Sequence, residues 1–503
     1  MSRLSRLIIA YIVAIPLALV LGCLVATPGM ASIVALGFVL CCLAAPLVIQ
    51  WHHALLILGW NSAFILGFMP GQPRIWLVLA AVSFSIGALN HVLGFKSFLR
   101  APELTKPLLF LLGVILVTAW FRGGIGTRVF GGAGFGGRNY AYVLGAFMGY
   151  FALTAQRIPP EKGPRMTKWF FLSAITNAIP NVTYLLGPSF YFLYILVSAD
   201  SAVSQAQSDW EQNGLSRLGD FSNAAIGLMC FMLAHWGIRG IFEWHKPWRL
   251  LLLAVTVTGG LLSGFRSQFT LMVAVFVIQF VVEGLWKTAF LPLFCLLGLL
   301  CVGPVLLFAN KMPSAMQRCL AFLPVDINPD VRADAQASID WRVDLWKAAW
   351  PEVPKYLFVG KGYSLDPLDT DMTTQAARMG LVPSYEEALY AGNYHNGLLS
   401  ILIPFGLLGT IAFVWLLVAG VKVLYCNYRY GDARLRMVNT TLFSFFLTQS
   451  LFFFIVFGAF NVQIVVFLGT LGMSVSLNNG VCRKEVPKTV RIASAPALAL
   501  EPA

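Results

Sequence analysis

The sequence predicts an all-α polytopic membrane protein of about 12–14 transmembrane helices with one large polar loop. Three observations predict it. Of 503 residues, 58% are hydrophobic and only 11% charged, where a soluble domain carries about a quarter charged residues. Apolar runs of roughly 17–25 residues, long enough to cross a bilayer as helices, recur along the chain. Basic residues, finally, gather on alternate connections between these runs.

The runs centre near 7–26, 31–49, 53–69, 75–95, 107–121, 139–155, 169–197, 222–241, 248–264, 266–283, 288–308, 396–421, 437–457 and 461–477. The third is short, and the seventh is long and interrupted by Pro180 and Pro188. Arg3 and Arg6 precede the first run as in a secretory signal, but the run is long and another follows at once, so an uncleaved helix is expected. Four segments follow: helices over 1–308, a polar loop over 309–394, helices over 395–477, and a tail over 478–503 whose composition predicts disorder.

With the N-terminus inside, the inner connections hold 21 Lys and Arg against 7 Asp and Glu, and the outer ones 14 against 15. That asymmetry follows the positive-inside rule and places both termini in the cytoplasm and 309–394 outside. The net charge of +13 is thus a matter of topology, and nucleic acid is not an expected partner. Nine cysteines show no CxxC or Cys/His spacing, which argues against zinc and disulfide frameworks. Within the loop, "SIDWRVDLWKAAW" (338–350) reads as a short helix, and "NPDVRADAQAS" and "SLDPLDTDMTTQ" on either side read as loops.

Four stretches carry candidate chemistry. "GGAGFGGRN" (131–139) contains G-x-G-x-x-G but follows no strand, so a dinucleotide fingerprint is excluded. A plain flexible loop is one reading. The other is an anion site, with glycines opening onto a helix N-terminus beside Arg138; Arg122 and Arg128 lie in the same acid-free segment. "LLSGFRSQ" sets Arg266 in a tight hairpin between two spans, as a snorkelling side chain or as an intramembrane-edge functional group. "GLSRLGDFSN" sets Arg217 just before a span, with Asp220 as a plain partner. His395 stands before a long apolar run, with Asn396 beside it. A helix N-terminus disfavours imidazolium, so this histidine is either a cap or a neutral general base.

"HNGLLSILIPFGLLGT" (395–410) resembles the signature of the O-antigen ligase and O-antigen polymerase superfamily: histidine, asparagine, nine residues, then G-x-x-G at Gly406 and Gly409. "DWRVDLWKAAWPEVPKYLFVGKGYS" (340–364) resembles that family's outer-loop pattern through Arg342, Trp346, Gly360 and Gly362, with Lys361 as a departure. Arg266 and the pair Arg217 and Asn223 match its looser arginine motifs, whereas Arg138 lies outside the similar region, which spans roughly 214–477. The resemblance implies a GT-C-like glycosyltransferase of the bacterial inner membrane with its active site on the periplasmic face. Its donor would be an undecaprenyl-diphosphate-linked glycan, and its acceptor lipid A–core or a second lipid-linked glycan. It implies no cofactor and no metal, and a single inverting displacement. His395 would act as base, and Arg266, Arg342, Arg217 and Asn396 would hold diphosphate or substrate; Arg138 joins them on its glycine-rich, acid-free loop and not on the resemblance. The competing class is a membrane transporter or lipid-linked glycan flippase, which predicts charges at mid-span rather than arginines crowding one face.

Overall fold

The computed structural model describes residues 15–23, 26, 29–69, 71–95, 98–123, 137–200, 202–203, 205–206 and 217–484. Half of the expected span over 7–26 lies outside them, as do Arg128, Gly132, Gly134 and most of the tail. The described residues are helical throughout, with two isolated backbone bridges and no strand. That follows from the solvent: in lipid, each backbone N–H and C=O must find its partner within its own segment.

Among the described residues, seven helices are long and apolar enough to span a membrane. They lie in α1 (Met30–Gly59), α2 (Ile75–Val92), α3 (Pro102–Arg122), α7 (Phe221–Ile241), α16 (Leu399–Tyr430), α17 (Arg436–Ile455, counted from Ala433 with its preceding turn) and α18 (Phe460–Asn478). Three shorter apolar helices accompany them: α8 (Trp248–Leu262), α9 (Arg266–Val282) and α10 (Phe290–Leu307, apolar over Phe290–Leu300). Between α3 and α7 the chain forms α4 (Gly137–Thr154), α5 (Gly163–Leu172) and α6 (Ile179–Leu186), with 3₁₀ turns over Ser173–Ala178 and Pro188–Ile195. The single span expected over 169–197 is therefore a broken one, with each proline at the start of a new turn.

A further difference concerns residues 31–69. Two spans were expected, divided near the polar pair His52 and His53; α1 instead runs unbroken to Gly59 and then gives way to irregular chain. The histidines do not interrupt it because both are bonded inside the fold. His52 lies 2.7 Å from Ser83 Oγ, and His53 lies 2.9 Å from the Leu153 carbonyl.

The polar loop is more helical than expected. It holds α11 (Ser314–Leu320), α12 (Pro329–Ala349), α13 (Glu352–Tyr356), α14 (Pro367–Arg378) and α15 (Tyr385–Tyr390). Both stretches read as loops are helices in large part. Asn328 and Asp366 each accept a hydrogen bond from the backbone N–H two residues on, with proline at the first helical position. Those are N-terminal start signals.

The core lies among α4, α16, α17 and α18, where Phe413 packs on Phe453, Phe460 and Phe467 with ring centroids 5.1, 5.3 and 5.7 Å away. This block positions the histidine turn above it.

Candidate active site

The site begins with α12. Asp334, Ala335, Trp341, Arg342 and Leu345 recur at helical spacing and share one face. Leu345 is fully buried, so that face is held down and its polar members are carried inward. Arg266, the first residue of α9, donates from Nη2 to the Ala335 carbonyl at 2.8 Å. Arg217 donates to both carboxylate oxygens of Asp334, at 3.0 and 3.2 Å. Arg318 of α11 closes the group with a second ion pair to Asp334. Two arginines thus hold one carboxylate, with Arg266 and Arg342 beside them. Arg342 has no hydrogen bond or ion pair among the described residues.

Electrostatics follow from this crowding. Burial pushes the guanidinium of Arg217 below its ordinary range. Burial does the same to Arg342, with Arg266 adding repulsion. Arg318 is pushed down to about 9 by burial and then by Arg217, Arg266 and Arg342. A cationic group that is half-buried and short of counter-charge is a receptor for a polyanion.

His395 stands next to it. The residue lies outside the span that begins at Leu399, in a turn with φ +50°. Its ring is held edge-on between Trp341 and Phe457, each with its centroid 5.3 Å away. On one side the turn is fixed by Trp346 Nε1, which donates to the Tyr394 carbonyl at 2.9 Å. On the other, Asn396 Oδ1 accepts from Leu399 N at 3.1 Å. The side chain that satisfies the first N–H of the helix is therefore that of Asn396, not of His395. His395 Nδ1 is buried without a hydrogen-bond partner. Burial first, and the neighbouring Arg342 second, push its pKa down to about 4, so at neutral pH the ring is an uncharged acceptor.

The glycine motifs meet each other. Gly406 breaks α16 with φ +67°, and the 357–362 turn docks into the break. Leu407 N donates to the Leu357 carbonyl at 2.7 Å, Lys361 N to Ile403 at 2.9 Å and Gly362 N to Pro404 at 2.9 Å. A Cβ on Gly360 would stand 2.0 Å from the Pro404 oxygen, so no other residue fits without moving backbone. Arg122 Nε donates to the Gly360 carbonyl at 2.9 Å, and Gly362 lies against Tyr140. Gly409, one turn below the break, faces Val114 of α3. Lys361, the departure from the family pattern, pairs with Glu352 at 3.1 Å and leaves these backbone bonds intact.

Arg138 is not brought to the arginine group. It donates to the Tyr142 hydroxyl at 3.1 Å and lines a separate cavity of about 270 Å³ behind Tyr394. Arg318 and Asp334 are the members that sequence reasoning missed. Among the described residues no cluster of three or more His, Cys, Asp or Glu is placed to hold a metal ion.

Residues 250–414 match the family model described as O-antigen ligase. No curated protein matches the chain. The matched region contains Arg266, Arg318, Asp334, Arg342 and His395. Over residues 250–414, about a third of the chain, this multi-pass helical membrane protein is thus similar to the O-antigen ligase family.

Proposed function

We propose that the protein transfers a glycan from an undecaprenyl-diphosphate carrier to an acceptor hydroxyl on the periplasmic face of the inner membrane. The observation that carries the reading is the juxtaposition of an uncharged, unpartnered His395 Nδ1 with Arg342 at the edge of a four-arginine group. The acceptor oxygen attacks the anomeric carbon while His395 takes its proton. The bond from that carbon to the diphosphate oxygen breaks, and the diphosphate leaves with the electron pair. Arg342, Arg266, Arg217 and Arg318 receive the charge that accumulates there. A single displacement of this kind inverts the anomeric configuration, and the arginines take the part a metal plays in other phosphate-releasing sites. In this reading residues 309–394 form a periplasmic loop and both termini are cytoplasmic.

The decisive experiment is transfer by the purified protein from undecaprenyl-diphosphate glycan in the presence of EDTA. Inhibition by EDTA would replace the arginine clamp with a metal. Ligase and polymerase are separated by polysaccharide gels and lipid extraction from cells lacking the gene. Loss of capped lipopolysaccharide with carrier-linked polymer intact marks a ligase; single repeats in place of long chains mark a polymerase. Orientation is read with Leu381→Cys, at an exposed loop position, which an impermeant thiol reagent should label in intact spheroplasts. Native Cys319 is buried and cannot report it.

A further inference from the structure

Unbonded polar side chains gather around one cavity of the interior. Gln449, on α17, is only 6% exposed and makes no hydrogen bond among the described residues. Asn223, in the first turn of α7, and Gln268, in the first turn of α9, are likewise unbonded. All three line a single cavity of about 270 Å³. Trp60 lines it too, with Nε1 buried and unpartnered and its ring 5.5 Å from that of Trp76 on the same wall. Buried polar groups are almost always bonded, so the open Gln449 amide and Trp60 Nε1 on the walls of one cavity call for a ligand.

The chemistry of the lining selects that ligand. It includes seven carboxamides and one guanidinium, from Arg74, and no carboxylate. A carboxamide both donates and accepts, as a sugar hydroxyl does, and indole faces offer flat apolar surface to the C–H face of a pyranose. An isoprenoid chain would leave the amides unsatisfied. A cation would find no carboxylate and would meet Arg74. The cavity also adjoins the reaction centre: Phe457, which packs on the His395 ring, forms part of its wall.

We infer that this cavity is a glycan subsite, taking a pyranose that carries hydroxyl or acetamido groups and no positive charge. The inference rests on the glycosyl-transfer reading, and the sugar belongs either to the donor or to the acceptor. The test uses the intact protein in nanodiscs, as wild type, as Gln268→Leu/Gln449→Leu, and as Asn223→Leu. The last changes an exposed side chain, so folding is not at stake if the buried double variant fails. Binding is measured for undecaprenyl diphosphate, for undecaprenyl-diphosphate-linked N-acetylglucosamine, and for lipid-free lipopolysaccharide core oligosaccharide.

With a donor sugar in the cavity, the wild type prefers the sugar-bearing carrier over the bare one by about tenfold or more, and the variants lose that preference. With an acceptor sugar there, the carrier preference survives and core oligosaccharide binding falls by about tenfold. Either result supports the subsite and fixes its source. Unchanged binding of all three ligands in every folded variant would overturn the subsite while leaving the transfer reading intact. Glycan transfer by His395→Asn protein would overturn that reading instead.

Discussion

Arg217 holds the Asp334 carboxylate through two hydrogen bonds, at 3.0 and 3.2 Å, and Arg318 pairs with its Oδ2 as well. In the proposed mechanism the diphosphate uses these same donors, so Asp334 occupies an anion position within the substrate-free site. Asp334→Asn should destabilise the free protein by about 1.5–3 kcal/mol, because crowded guanidinium groups lose their counter-charge. Undecaprenyl diphosphate should then raise the thermal midpoint more in the variant than in the wild type. Equal shifts in the two proteins would mean that carboxylate and diphosphate do not share the arginines.

Arg266 and Arg342 differ from that pair in having no carboxylate partner. A lysine keeps their charge but loses the planar two-pronged donor. Arg266→Lys and Arg342→Lys should each lower transfer by about ten- to a hundredfold, close to the effect of alanine, and Arg318→Lys should behave alike. Single-turnover rates at saturating donor separate loss of chemistry from loss of binding. Near-wild-type rates in the lysine variants would reduce the group to generic positive potential. Full activity in Arg342→Ala would remove α12 from the mechanism.

Much of this group was legible in the sequence, and the limits have physical causes. Arg217, Arg266, Arg342 and His395 stand in recognisable motifs or at span edges, where a charge is expensive and therefore conspicuous. Arg318 and Asp334 carry no such mark, since their relation is tertiary: the short helix α11 packs on the α8–α9 hairpin and against α12. Asp334 is further obscured because "NPDVRADAQAS" reads as a loop, whereas it opens on an asparagine cap followed by proline at the first helical position. The continuity of α1 was hidden for the opposite reason. His52 and His53 look like a break in hydropathy, and only their partners on α2 and α4 show why the helix continues. Asn396 was legible as part of the signature, but its bond to Leu399 N belongs to capping geometry that spacing alone does not specify.

The docking of Gly360 on the Gly406 break yields a structural prediction. Gly360→Ala places a methyl group 2.0 Å from a backbone oxygen, and neither chain can yield without losing the hydrogen bonds that join them. The cost should be roughly 1–3 kcal/mol, toward the upper end because the obstacle is backbone. Gly409→Ala, whose methyl would stand 2.4 Å from the Phe405 Cβ, meets a side chain of its own helix rather than a backbone oxygen and breaks no backbone hydrogen bond, so it should cost less. Thermal unfolding in detergent checks the order, and Gly409→Ala as the more damaging change would contradict the docking.

The final prediction concerns His395 and has two parts that one variant tests. At φ +50° an alanine is strained, whereas asparagine adopts this left-handed conformation readily. His395→Asn therefore removes the base and keeps the turn, and transfer should fall about 10²- to 10⁴-fold with expression and insertion unchanged. The second part is pH dependence. An imidazole in the unfolded chain protonates near ~6.5, but in the fold burial and Arg342 hold it down to about 4. Between these values the unfolded state binds more protons, so stability falls as pH drops from about 6.5 to about 4 and is level above that window. His395→Asn should lose this component. In the wild type, kcat/KM should stay level from neutral pH down to about 5, since it reports the free enzyme. Bound diphosphate offsets the Arg342 charge, so the acid limb of kcat should lie at higher pH than that of kcat/KM. An acid limb of kcat/KM at 6.5 would show that Arg342 and the burial of the ring do not act on His395 in the working enzyme.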